Sequence, residues 1–149
     1  MKLLIAFFLL LAPTEDKMTE IRDLFSRAAE DEQANRDLMS MTDGYTLEYS
    51  PIMFAYHAGA VMTWANHTLS PITKCKYFYD GAADLEDAIE YEPDNVEMRF
   101  IRFCVQDGSP SYLGYNGQVD EDKAYVLKHI DRTGWSPSYK KEVKQFLED

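Results

Sequence analysis

Three histidines, two cysteines and a dense run of carboxylates are the side chains in this 149-residue sequence whose types suit chemistry. His57, His67 and His129 include no pair four residues apart, the spacing of a helical metal site, and no H-E-x-x-H is present. His57 stands in the apolar run Met53–Val61, where a hydrogen-bonded structural histidine is expected rather than a general base. Asp84, Glu86, Asp87, Glu90, Glu92, Asp94 and Glu97 fall close together. Paired acids do acid–base work only in a cleft that shifts their proton affinity. On an amphipathic helix such a run is the solvated face. Asp120-Glu121-Asp122 lacks the alternating spacing and closing glutamate of a calcium loop. Cys75 and Cys104 form no C-x-x-C, so no zinc or redox motif arises. They are expected as free thiols in a helical core or, after export, as a disulfide. No G-x-S-x-G elbow and no glycine-rich phosphate loop occur. Asn66-His67-Thr68 fits a glycosylation acceptor, which has meaning only in a eukaryotic source. The chain is therefore expected to be no enzyme, with no catalytic residue, no metal ligand and no cofactor.

The sharpest pattern is basic. Within 95–107, Val96, Phe100, Phe103 and Cys104 make one apolar face of a helix, and Met98, Ile101 and Val105 make most of another. The remaining strip carries Arg99, Arg102 and Gln106. Guanidiniums beside so apolar a helix need carboxylates, because partly buried arginines are normally paired. Either Asp84, Asp87 or Glu97 supplies them internally, or a ligand does. In the second case Arg99, Arg102 and Gln106 bind a protein or peptide through its carboxylate.

The elements that must position these residues are helices. Ser50-Pro51, Ser70-Pro71 and Ser136-Pro137 each place a hydroxyl cap before a proline at the first helical position. Asp94 with Glu97 three residues on has the form of a capping box, and Pro93 ends the helix before it. The pattern predicts helices near 17–29, 32–42, 51–67, 71–92, 95–107, 119–132 and 137–148. No window alternates as a strand does. The stretch 107–117, with Gly108, Pro110, Gly114 and Gly117, is the one substantial loop. The expected architecture is all-α, an irregular array of helical hairpins in a single domain over 13–149. A net charge of −11 repels phosphate backbones and anionic membranes, so no nucleic-acid partner is expected; a basic peptide, a cationic ligand or simple solubility explains the acidity better.

Residues 1–12 stand apart. Lys2 precedes the apolar run Leu3–Ala12, which matches the front of an export leader and is too short to span a bilayer. The expected location is periplasmic or secreted; membrane-anchored and cytoplasmic are the alternatives. The cleavage region carries bulky Leu10 where a small residue is usual.

The segment Gly81–Pro93 sets a small residue at 81, Leu85 four later, Ala88 three after that and Pro93 five further on. Gly81 and Ala88 allow a neighbouring helix close, Leu85 fills the gap and Pro93 ends the helix. This resembles the second-helix half of a tetratricopeptide repeat. Phe54–Met62, with Ala58-Gly59, resembles the first half, offset by an insertion that includes His67–Pro71. Glu97–Phe103, Tyr112–Asn116 and Glu121-Asp122-Lys123 are similar to strings in a family of small exported bacterial proteins of unknown function. The resemblance implies a tetratricopeptide-like fold, brings no catalytic residues, and places Arg99 on the helix that faces the concave side. The function expected is a non-enzymatic protein- or peptide-binding scaffold. The alternatives are a structural subunit of an oligomer and an unrecognised hydrolase that would need inward-facing His57, His67 and acids.

Overall fold

The computed structural model describes residues 12–149. The expected leader at residues 1–12 falls, but for Ala12, outside them. Seven α-helices follow: α1 (Glu15–Arg27), α2 (Glu32–Thr42), α3 (Pro51–Trp64), α4 (Pro71–Tyr91), α5 (Val96–Asp107), α6 (Val119–His129) and α7 (Pro137–Glu148). Single 3₁₀ turns occupy Ala65–His67, Ser111–Leu113 and Ile130–Arg132. No strand occurs among the described residues. The chain is all-α, and none of these helices is long and apolar enough to cross a membrane.

Helix starts follow the local chemistry. Thr14, Asp31 and Ser136 accept from backbone N–H groups in the first turns of α1, α2 and α7. Two expected caps differ. Ser50 precedes α3, but its side chain makes no capping bond. Asn95, rather than Asp94, caps α5 by accepting from the Met98 N–H. Asp94 lies one residue outside, where its oxygens face the Tyr125 hydroxyl, and Glu97 accepts from the Trp135 indole N–H. The capping box is thus replaced by an Asn cap with its acids turned to tertiary contacts.

The sequence suggests one domain, while the packing divides into two compact units, one ending at Tyr91 and the other Glu92–Asp149. In the first, α3 and α4 form a close hairpin. Ala55, Ala58 and Ala60 of α3 and Ala82, Leu85 and Ala88 of α4 are buried. Gly81 is the closest point: a Cβ there would lie 2.7 Å from the Ala58 carbonyl oxygen and 2.6 Å from Met62 Cγ. Only a glycine fits at that approach. Phe25 of α1 meets Tyr56 of α3 edge-on, with centroids 5.4 Å apart. Neutral polar groups tie the ends. Asn35 is fully buried and its amide nitrogen contacts Ala28 O, Ala60 O and Thr63 Oγ1. His67 Nε2 donates to Ala28 O at 2.8 Å and Asn66 Nδ2 to Ala29 O at 3.1 Å, which satisfies carbonyls at the end of α1.

The second unit is built on aromatics. Val96, Phe100, Phe103, Val126, Ile130, Trp135, Val143 and Leu147 form its core, with Cys104 and Tyr139 packed against it. Phe100 meets both Trp135 and Phe146 edge-on.

Candidate functional site

The basic strip of α5 turns inward. Arg102 is 5% exposed, Gln106 1% and Asp122 of α6 0%. Arg102 grips Asp122 with two donors, Nε to Oδ2 at 2.6 Å and Nη2 to Oδ1 at 2.8 Å, a fork that suits a planar guanidinium. Arg99 reaches the same carboxylate from one turn earlier, with Nη1 3.2 Å from Oδ1. Its Nη2 and Nε donate to the Pro93 carbonyl, and its guanidinium lies 4.8 Å from the centre of the Tyr125 ring. Gln106 and Gln118 exchange bonds: Gln106 Nε2 donates to Gln118 Oε1 at 2.7 Å, and the Gln118 N–H donates to Gln106 Oε1 at 3.1 Å.

The structure thus assembles the three expected ligand-binding residues side by side and engages each with groups of α6 or the loop before it. The carboxylate that joins the two arginines is Asp122, which spacing along α4 and α5 does not bring to notice. An acid twenty residues from Arg102 becomes its partner only because the loop from Gly108 returns α6 alongside α5.

The groups considered for chemistry are dispersed. Thr42 gives its hydroxyl proton to Leu38 O at 2.7 Å. Its oxygen lies 3.0 Å from His57 Nδ1. His67 is taken up by the Ala28 carbonyl. The His129 ring packs tilted against Tyr125, with centroids 4.4 Å apart, and burial, followed by Arg132 and Lys128, lowers its proton affinity. Both cysteines are free. Cys75 is exposed rather than in a core, and Cys104 is partly buried, with its thiol pushed up by burial. No grouping of His, Cys, Asp and Glu suited to a metal ion occurs among the described residues.

A different feature stands out on the solvent face of α4. Leu69 is 98% exposed and Ile72 84%, with Tyr79 and Tyr91 about half exposed. Ser70 caps this helix, accepting from the Thr73 N–H. An apolar residue just before the cap normally packs on the fourth helical residue. Here that residue is Lys74, so the apolar group that would normally cover Leu69 is missing, and Leu69 stays in solvent. Leu69-Ser70-Pro71-Ile72-Thr73-Lys74 is the signal in the sequence that could have found this face. Further along, Ile72, Lys76, Tyr79, Ala83, Asp87 and Glu90 follow helical spacing on the exposed side, with Asp80 and Asp84 flanking them. Lys76 pairs with Asp80. Asp84 has its proton affinity raised, first by burial and then by the charges of Asp87 and Asp80, with a smaller opposing pull from His57. Residues 1–91 hold 15 acidic and seven basic side chains, a net of −8, against 11 and eight, a net of −3, in 92–149.

No family model, no curated protein and no solved structure matches this chain.

Proposed function

We propose that this chain is a non-enzymatic, tetratricopeptide-like scaffold that binds another protein, and that the partner lies along the solvent face of α4. The reading is carried by Leu69 and Ile72, which stand 98% and 84% exposed at the start of that helix. Covering an aliphatic side chain contributes about 1.5–3 kcal/mol when burial is complete, so two of them three residues apart in the chain make an anchor. The close α3–α4 hairpin around Gly81 supports the same reading, because it packs the opposite side of α4 and leaves this face outward. The binding face is placed on α4 rather than on Arg99, Arg102 and Gln106 because those three already have partners within their own unit. Lys2 and the apolar run after it would put this binding outside the cytoplasm, where intact mass of the native protein would show Met1–Ala12 removed.

A photo-crosslinking residue in place of Ile72, expressed in the native source, tests the reading. One discrete adduct is expected at Ile72, with none when the same residue replaces Glu142 on α7. The same adducts from both positions, or none from Ile72, would overturn it.

A further inference from the structure

The α4 face has a chemistry that narrows its occupant. We propose that the partner presents a cationic amphipathic helix, which lies lengthwise along α4 with its apolar side on Ile72, Tyr79 and Ala83 and its Lys or Arg side chains beside Asp84, Asp87 and Glu90. The inference rests on the scaffold reading above and specifies its ligand.

Three observations lead there. The first is shape. Ile72, Lys76, Tyr79, Ala83 and Glu90 recur at intervals of four, three, four and seven, so they line one stripe along a 21-residue helix. A helix of that length spans about 30 Å. A stripe with apolar groups at helical spacing is what a second helix reads through its own residues at i, i+3, i+4 and i+7. Ala83, exposed in mid-stripe, leaves room for close approach.

The second is apolar exposure graded along the stripe. Leu69 and Ile72 stand at the N-terminal end and the acids begin at Asp80. An occupant must therefore be amphipathic, with apolar anchors toward one end.

The third is charge. Lys76 answers Asp80, which leaves the acid surplus at Asp84, Asp87 and Glu90. Asp84 of α4 already resists ionisation because it is part-buried and near the charges of Asp87 and Asp80, which His57 of α3 offsets only in part. A cation beside it relieves that repulsion; another anion deepens it. A second copy of the chain would set this acidic stripe against itself, and an anionic lipid surface would meet it with like charge. A cationic helix meets neither obstacle.

The test uses the full chain and three synthetic peptides: an amphipathic helix of Leu and Lys, a scrambled isomer of equal charge, and a counterpart with Glu for Lys. Binding is followed by isothermal calorimetry at two salt concentrations, and the Asp84 carboxyl is titrated by NMR. The Leu/Lys helix is expected to bind at least about tenfold more tightly than its scramble, a difference of about 1.4 kcal/mol, and to weaken with salt. The Glu counterpart should show no binding. Asp84 should ionise at lower pH in the complex. Ile72→Ser and Tyr79→Ser should each weaken the Leu/Lys helix severalfold, with circular dichroism spectra confirming that the fold is kept: Ile72 stands largely in solvent, and Tyr79 is half exposed with its ring edge-on to Phe78. Equal binding of helix and scramble, binding indifferent to both substitutions, an unmoved Asp84 titration, or dimerisation in place of peptide binding would each overturn the proposal. If Ile72 crosslinks a protein in the native source while the Leu/Lys helix fails to bind, the cationic occupant is wrong and the scaffold stands. If neither occurs, both fall.

Discussion

In the unit that ends at Tyr91, buried polar groups are mainly neutral and bond to backbone; from Glu92 onward they centre on an ion cluster. Asn35, Thr42 and His67 hold helix ends through carbonyls. The buried Arg22 of that unit reaches Glu15, which is largely in solvent, at 2.7 Å. The second unit closes two arginines over one fully buried aspartate. Neutral tethers are directional but individually weak, so the first unit needs small residues and close helix approach. The ion cluster is different: it must be complete, since a charge taken from water is tolerated only while its partner is in place. The two designs should therefore fail differently.

The largest effect is expected at Asp122. Asp122→Ala removes the carboxylate shared by Arg99 and Arg102, and unfolding in denaturant should show a loss of about 3–5 kcal/mol. Amide exchange should accelerate across α5–α7 more than across α3 and α4. A cost below that of the substitution considered next would break the comparison.

Gly81→Ala comes second. The added methyl would meet a backbone oxygen at 2.7 Å, and backbone cannot swing aside as a flexible side chain can. A destabilisation of about 1–3 kcal/mol is expected, with exchange rising first in α3 and α4. An unchanged denaturant midpoint would show that the hairpin opens freely and that small-residue packing does not hold it. Ala88→Leu, at a position with no exposure, should cost a similar amount.

These two sites also mark what the sequence makes legible. Gly81, Ala88 and Pro93 announce a tight helix and its end, because small residues and proline act through local sterics. The Ser-Pro pairs place the starts of α3, α4 and α7 at Pro51, Pro71 and Pro137. The burial of α5 on nearly all sides was readable from Phe100, Ile101, Phe103 and Val105. Its partner was not. Arg102 needed a carboxylate, but Asp122 becomes available only through the path of the loop, which depends on Gly114 at φ +70° and on the Gln106–Gln118 exchange. The α5 cap is Asn95 rather than Asp94, two adjacent residues that both suit a cap, and the Tyr125 hydroxyl lies against Asp94. The exposed face of α4 was partly readable, since Lys74 stands where a staple needs an apolar residue.

A smaller effect probes the neutral tethers. Thr42→Val removes the hydroxyl that donates to Leu38 O and lies within hydrogen-bond distance of His57 Nδ1. About 1 kcal/mol should be lost, and the His57 ring should show a changed tautomer balance by nitrogen NMR. A tautomer balance identical to wild type would show that Thr42 does not orient the ring.

The smallest effects are electrostatic and opposite in sign, both within the first unit. Asp31 caps α2 by accepting from the Ala34 and Gln33 N–H groups, and those bonds, with Arg27, lower its proton affinity. Its folded value lies below its unfolded one, so it adds stability above the ordinary carboxylate range, and that stability is lost as pH falls through the folded value. Asp84 lies the other way. Burial and Asp87 raise its proton affinity, so the folded chain holds this proton more tightly than the unfolded one, and stability falls as pH rises through the folded value. Asp84→Asn should therefore raise the melting temperature slightly at neutral pH, and the gain should vanish on the acid side of the carboxylate range. Asp31→Ala should lower it at neutral pH, with the deficit shrinking as acid protonates the wild-type cap. Solvent reaches both carboxylates and keeps these shifts small. A destabilised Asp84→Asn at neutral pH would show that His57 outweighs burial and the neighbouring acids at Asp84, and would remove the unmet charge that invites a cationic helix to α4.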